Sequence, residues 1–98
     1  QADIADNKFL GILYEEGGRG ILQNVNGEEV AKHLKPDDWN EYVIRCEGPR
    51  IRLWINGQPT VDYTEEEDSI EQRGLIGLQI HGGPPSEAWY KDISIKEL

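Results

Sequence analysis

The chain has 98 residues, 37% of them hydrophobic, and carries 19 acidic against 10 basic side chains for a formal net charge of -9. A chain of this size supports one hydrophobic core and buries roughly two thirds of its unfolded surface, so residues 1–98 read as a single domain. The acidic excess opposes nucleic acid and anionic membrane surfaces, which would both be repelled, and leaves a neutral or cationic ligand as the better fit. Acidity alone serves solubility as often as binding. Cys46 is the only cysteine, so neither an internal disulfide nor a cysteine metal cluster can form. No apolar run approaches a membrane span and no signal peptide is present, although a mature or truncated chain would have lost one.

Gln1, Asp3 and Ala5 alternate against Ala2 and Ile4. The chain therefore starts as if already inside a strand, and the expectation is that the natural protein continues upstream. Asp6-Asn7-Lys8 reads as a turn by Asp and Asn chemistry, and the run Phe9 to Glu15 resumes with Leu10, Ile12 and Tyr14 against Gly11, Leu13 and Glu15. Together these predict a hairpin. Glu15-Glu16-Gly17-Gly18-Arg19-Gly20 has too many glycines for an element interior and is a loop. It lacks the Lys followed by Ser or Thr of a phosphate cradle and the three spaced glycines of a dinucleotide fingerprint. Ile21 to Val25 is a short strand candidate before an Asn26-Gly27 turn, and Glu28 to Leu34 is the one segment with helical character, ended by Lys35-Pro36.

Three strand signals follow: Asn40 to Cys46, Arg50 to Ile55, and Leu75 to His81. Glu47-Gly48-Pro49 joins the first two as an antiparallel hairpin. Ile51, Leu53 and Ile55 share one face, with Arg52, Trp54 and Asn56 opposite, and Asn56-Gly57 turns the chain into Thr60 to Tyr63. Cys46 is in phase with Tyr42 and Ile44, which predicts a buried, inert thiol. The acidic run Thr64 to Asp68 reads as a solvated loop, because the ligand alternation and bend-forming Gly of a calcium loop are missing.

The expectation for Gly74 to His81 is a central strand with Ile76, Leu78 and Ile80 on the core face and Leu75, Gly77, Gln79 and His81 on the other. Gly82-Gly83-Pro84-Pro85 ends it, leaving His81 at a sheet rim where binding groups collect; a simple strand-end cap is the alternative reading of that imidazole. From Ala88 to Leu98 the alternation slips by one at Asp92 and Ile93, which predicts a bulge.

Short strands separated by Gly, Asn and Pro turns, with almost no helical period, predict an all-β antiparallel sandwich. Gln1, Asp3, Arg52, Trp54, Gln79 and His81 all fall opposite their strands' aliphatic sets. Such a face, with aromatic, amide, carboxylate and imidazole groups, suits a carbohydrate, which offers C–H faces to rings and vicinal hydroxyls to amides.

The segments Gln1-Ala2-Asp3-Ile4, Leu13-Tyr14-Glu15-Glu16 with Arg19-Gly20, Trp39-Asn40-Glu41-Tyr42, Ile55-Asn56-Gly57, Gly77-Leu78-Gln79-Ile80-His81 and Tyr90-Lys91-Asp92-Ile93-Ser94-Ile95-Lys96-Glu97-Leu98 resemble, in order and spacing, the C-terminal part of the 3-keto-disaccharide hydrolase domain family, long known as a bacterial domain of unknown function. Lys91-Asp92 stands where the family more often carries Arg-Asn. The resemblance implies a concanavalin A-like jelly roll with a groove on its concave sheet. Because the family's domains are about twice this length, it also implies an incomplete sandwich whose N-terminal half, or a neighbouring domain, lies outside this chain.

The resemblance further implies cleavage of glycosides oxidised at C3 of the sugar, by elimination and then hydration. In that chemistry Asp3 or His81 is the base, Glu15 a reserve acid, and Gln1, Tyr14, Arg19, Trp54 and Gln79 contact the substrate. One His at a rim and scattered carboxylates are weak support for a metal held by Asp3 and His81, and no cofactor is implied. The expected partner is a carbohydrate, with no nucleic acid and no membrane, and the family's setting implies a periplasmic or secreted protein. A non-catalytic carbohydrate-binding module, with Trp54 or Trp89 as the stacking platform, and a purely structural jelly roll are the alternatives.

Overall fold

A computed structural model describes residues 1–5 and 8–98. The turn expected at Asp6-Asn7 lies outside the described residues. The regular elements are strands β1 (Leu13–Glu15) and β2 (Gly20–Gln23), a one-turn helix α1 (Gly27–Ala31), and strands β3 (Tyr42–Glu47), β4 (Arg50–Ile55) and β5 (Gln58–Thr64). β1 and β2 form one antiparallel sheet, and β3, β4 and β5 form a second in sequence order. Ala2 bridges Leu13 in antiparallel fashion, so the opening segment lies alongside β1.

The second sheet follows from the turn chemistry. Gly48 takes φ 54° between β3 and β4, and Asn56-Gly57 takes φ 49° and 81° between β4 and β5, the left-handed pair that a tight hairpin with right-handed twist requires. The β3–β4 register pairs Tyr42 with Ile55, Ile44 with Leu53 and Cys46 with Ile51. Cross-strand partners share a face, so Tyr42, Ile44 and Cys46 join the aliphatic set of β4.

Two clusters make the core. Leu13, Leu53 and Val61 pack with Ala2, Leu22, Ile51 and Tyr63, which binds the two sheets face to face as a sandwich. Leu10, Val30 and Ile55 pack with Leu34 at the helix end. Val25 and Tyr42 touch both clusters. Leu53 and Ile55 are fully buried. Helix α1 is too short to stand alone. It is held by Asn26, whose side chain caps the amides of Glu28 and Glu29, by acidic residues in its first turn, and by its buried Val30. Gly11, at φ 73°, passes so close to α1 that a Cβ there would lie 3.2 Å from Val30 Cγ1.

The segments Trp39-Asn40-Glu41-Tyr42 and Ile55-Asn56-Gly57 interlock as a polar clamp. The Asn56 amide donates to His33 O at 2.7 Å and to Asn40 Oδ1 at 2.8 Å, and Asn56 Oδ1 accepts from the Glu41 amide at 2.9 Å. Asn40 in turn donates to Lys35 O and Asp38 O and accepts from the Lys35 amide. These residues tie the chain after α1 to the β4–β5 turn.

The C-terminal third departs from the sequence expectation. Residues 71–98 contain no strand, and none of their backbone groups bonds to the backbone of another described residue. Ile76, Leu78 and Ile80, expected in the core, are 74%, 56% and 56% exposed. Period-two alternation states which residues share a face, but a strand forms only where a neighbouring edge accepts its N–H and C=O groups. Cys46 is likewise exposed. It lies on the core side of β3 but lines the open cleft between the sheets, and nearby Ile44 is 56% exposed. Asp92, where the alternation slips, takes φ 52°.

Candidate functional site

At one end of the sandwich the two sheets part around a cleft of about 390 Å³. Its floor is apolar, from Leu13, Leu22, Ile51 and Pro49; its rim carries Gln1, Tyr14, Glu15, Arg19, Glu65 and Glu71. Four of the residues expected from sequence to bind or act on substrate, Gln1, Tyr14, Glu15 and Arg19, are thus brought to one opening. They come together because residues 1–3 pair with β1: the Tyr14 amide donates to Gln1 O at 2.9 Å, the amino terminus donates to Tyr14 O, and the Asp3 amide donates to Ile12 O at 3.1 Å.

Arg19 is fully engaged. Its Nη1 and Nη2 grip both oxygens of Glu65 at 3.0 and 2.7 Å, and its Nε donates to Glu15 at 2.5 Å. The side chain of Glu65 is only 9% exposed and also accepts from the Glu67 amide at 3.0 Å and the Tyr63 hydroxyl at 3.2 Å. The Arg19 bonds, followed by the Glu67 amide, hold the Glu65 carboxyl down to about 2, and the same pairing pushes Arg19 further up. This fork fastens the acidic loop that follows β5 to the glycine-rich β1–β2 turn, across 46 positions of sequence. Glu65, read from sequence as part of a solvated run, is therefore a structural anchor, and no local pattern could have announced a partner so distant.

Asp3 is tied to the cleft rim through Gln1. Its Oδ1 accepts from Gln1 Nε2 at 2.9 Å. Partial burial raises its pKa from the ordinary value, with Gln1, the amino terminus and His81 acting the other way. A carboxyl whose pKa is raised by burial is a stronger base than a free one. His81 lies within electrostatic reach of Asp3 and its Nδ1 is 2.7 Å from Gly82 O. Gln1 and Asp3 are thus in direct contact, and His81 acts on the Asp3 carboxyl electrostatically. Gln79 is exposed, and its backbone carbonyl accepts from the Tyr90 hydroxyl at 2.6 Å.

Trp54 is placed elsewhere. Leu53 and Ile55 face the core, so Trp54 and Arg52 leave β4 on the far side of the second sheet, where the Arg52 guanidinium stands 5.6 Å from the Trp54 ring centroid. Stacked sheets are roughly 10 Å apart, so a sugar ring at Asp3 does not reach Trp54. The alternation correctly set Trp54 opposite the aliphatic residues, but it does not say on which layer of the sandwich a given outward face lies. Beyond these, Trp39 and Trp89 lie 6.5 Å apart between ring centroids, with the Lys91 ammonium 4.3 Å over Trp39.

Among the described residues no group of three or more His, Cys, Asp or Glu is arranged to hold a metal ion. No helix is long and apolar enough to cross a membrane among the described residues. Tyr42, to which the sequence assigned no part in the site, donates its hydroxyl to Asp3 O at 3.1 Å.

Comparison with known proteins gives two results of different weight. Over 93 residues the chain is 26% identical to Kin of IRRE-like protein 3 of Mus musculus and, equally, of Homo sapiens; the match covers 85% of this chain but 12% of those proteins. No solved structure matches. Residues 1–96 match the 3-keto-alpha-glucoside-1,2-lyase-like domain, which spans nearly the whole sandwich together with Gln1, Asp3, Tyr14, Glu15, Arg19 and His81, and the chain belongs to that family of carbohydrate-related domains.

Proposed function

We propose that the chain cleaves 3-keto-glycosides by elimination across C1 and C2, followed by hydration, with Asp3 as the base. The ketone at C3 acidifies the C2 proton. Asp3 takes that proton, the C2–H electrons form the C2–C3 enolate, and collapse of the enolate expels the C1 substituent as an alcohol once its oxygen is protonated. Water then adds across the C1–C2 double bond. Base catalysis of this kind is worth roughly 100- to 10,000-fold, and donors aimed at the developing enolate oxygen add to it.

The observation that supports the reading most is the setting of Asp3: sheltered enough to raise its basicity, oriented by Gln1, and within electrostatic reach of His81. His81 is the group able to return a proton to the leaving oxygen, with Glu15 as the reserve acid at the cleft rim. Tyr14 is the free polar group beside Gln1, whereas Arg19 serves Glu15 and Glu65 and acts on substrate only by holding the rim in shape.

The direct test is incorporation of solvent deuterium at C2 of a 3-keto-glucoside in D₂O. Incorporation, or a deuterated elimination product, is expected with the wild-type chain and is lost with Asp3→Asn; cleavage without any C2–H rupture would contradict the mechanism. A second reading, a glycan-binding module without catalysis, is favoured by the exposed Trp39 and Trp89 pair, since paired indole faces suit sugar C–H surfaces. Retained sugar binding with no C2 exchange would select it. Export to the periplasm or the exterior is proposed on the ground of the family's setting.

A further inference from the structure

Tyr42 is the first residue of β3 and packs its ring against both core clusters. Its hydroxyl leaves the core to reach the backbone carbonyl of Asp3, 39 positions away in sequence. That carbonyl also accepts from the Gly11 amide at 2.9 Å, and the Asp3 amide donates to Ile12 O. Backbone bonds hold the segment containing Gln1 and Asp3 along β1, and Ala2 packs against the core cluster. Among the described residues Tyr42 is the side chain of the second sheet that hydrogen-bonds to this segment, and it acts on the very residue whose carboxyl the mechanism uses.

We propose that Tyr42 is a positioning residue for Asp3: its hydroxyl fixes the Asp3 backbone between the two sheets and thereby sets how far the Asp3 carboxyl stands out of solvent. The inference rests on the reading of Asp3 as the base. The charged and titratable groups that act on the Asp3 carboxyl are the amino terminus, Glu16 and His81. Burial, with Asp3 adding to it, pushes the Tyr42 phenol well up, so the hydroxyl keeps its proton and remains a donor throughout the range in which Asp3 titrates. Removing it leaves the Gly11 bond in place but frees the segment to tilt into water. A better-hydrated Asp3 is a weaker base.

Tyr42→Phe removes the hydroxyl and keeps the ring. Carbon-detected NMR titration of the Asp3 carboxyl is expected to show its midpoint falling toward that of a free aspartate. Exchange of the Gly11 amide is expected to quicken several-fold, and the acid limb of kcat/KM for a 3-keto-glucoside is expected to move down in pH with Asp3. A general loss of stability alone would leave the Asp3 midpoint where it was, and an unmoved midpoint with unchanged Gly11 exchange overturns the proposal. If the midpoint moves while neither protein releases a leaving group, positioning stands and the catalytic role of Asp3 falls. Should the variant lose its fold, the unsubstituted protein decides between the same outcomes: a slowly exchanging Tyr42 hydroxyl proton close to Asp3 supports the proposal, and one exchanging at the rate of a solvated phenol overturns it.

Discussion

Leu53 and Leu78 come from stretches with the same rhythm of alternating apolar residues, yet one is fully buried in β4 and the other is 56% exposed. β4 has partners on both edges, β3 and β5, each brought alongside by a tight turn. The stretch from Leu75 to His81 has no such neighbour among the described residues; Tyr90 bonds to Gln79 O within the C-terminal third, and Lys91 stands over Trp39. Amphipathic pattern is therefore a condition for a strand and not a cause of one; the cause is an available edge.

Substitutions on the two sides of this divide should separate cleanly in urea unfolding. Leu53→Ala is expected to cost about 3 kcal/mol, because it opens a cavity in a closed core. Leu78→Ala should cost less than about 0.5 kcal/mol, as surface changes do; equal losses would mean that the C-terminal stretch packs in solution. Asn56→Ala ranks next, at about 2 kcal/mol, from a left-handed residue that also loses three hydrogen bonds at the clamp. Gly11→Ala should cost about 1 kcal/mol or somewhat more through its positive φ and the Val30 contact.

Acid sharpens the same comparison through one anchor. The folded state lowers the Glu65 pKa from 4.5 to about 2, so its contribution to stability is complete above 4.5 and lost as pH falls toward 2. Asp3, raised by burial, works in the opposite sense: its ionisation costs stability, and that cost is relieved as pH falls through its folded pKa. Glu65→Gln should flatten the acid limb of the stability profile between 4.5 and 2, and an unchanged limb would mean that the Arg19 fork does not form. Lys91→Ala is also expected to have a small effect, below about 1 kcal/mol for an exposed cation over a ring.

These contrasts also mark what was legible in the sequence. The β3–β4–β5 hairpins were, because Glu47-Gly48-Pro49 and Asn56-Gly57 dictate local backbone geometry without reference to anything distant. The sandwich class followed from those signals. The burial of Cys46 was not legible: its phase with Tyr42 and Ile44 was right, but a face is dry only if another layer covers it. Of the residues that chemistry singled out, the fold brings Gln1 and Tyr14 to one opening and bonds Gln1 to Asp3, while Trp54 lies on the other layer. Tyr42 and Glu65 act through contacts 39 and 46 positions apart, a distance at which no spacing rule operates.

The mechanism stands or falls on Asp3. Following release of the leaving group from a 3-keto-glucoside by the wild-type chain and by Asp3→Asn, at equal folded concentration, tests it most directly. A loss of 100-fold or more in kcat, roughly the contribution of a general base, with substrate binding kept, is the predicted result. Turnover by Asp3→Asn within a few-fold of wild type would contradict it.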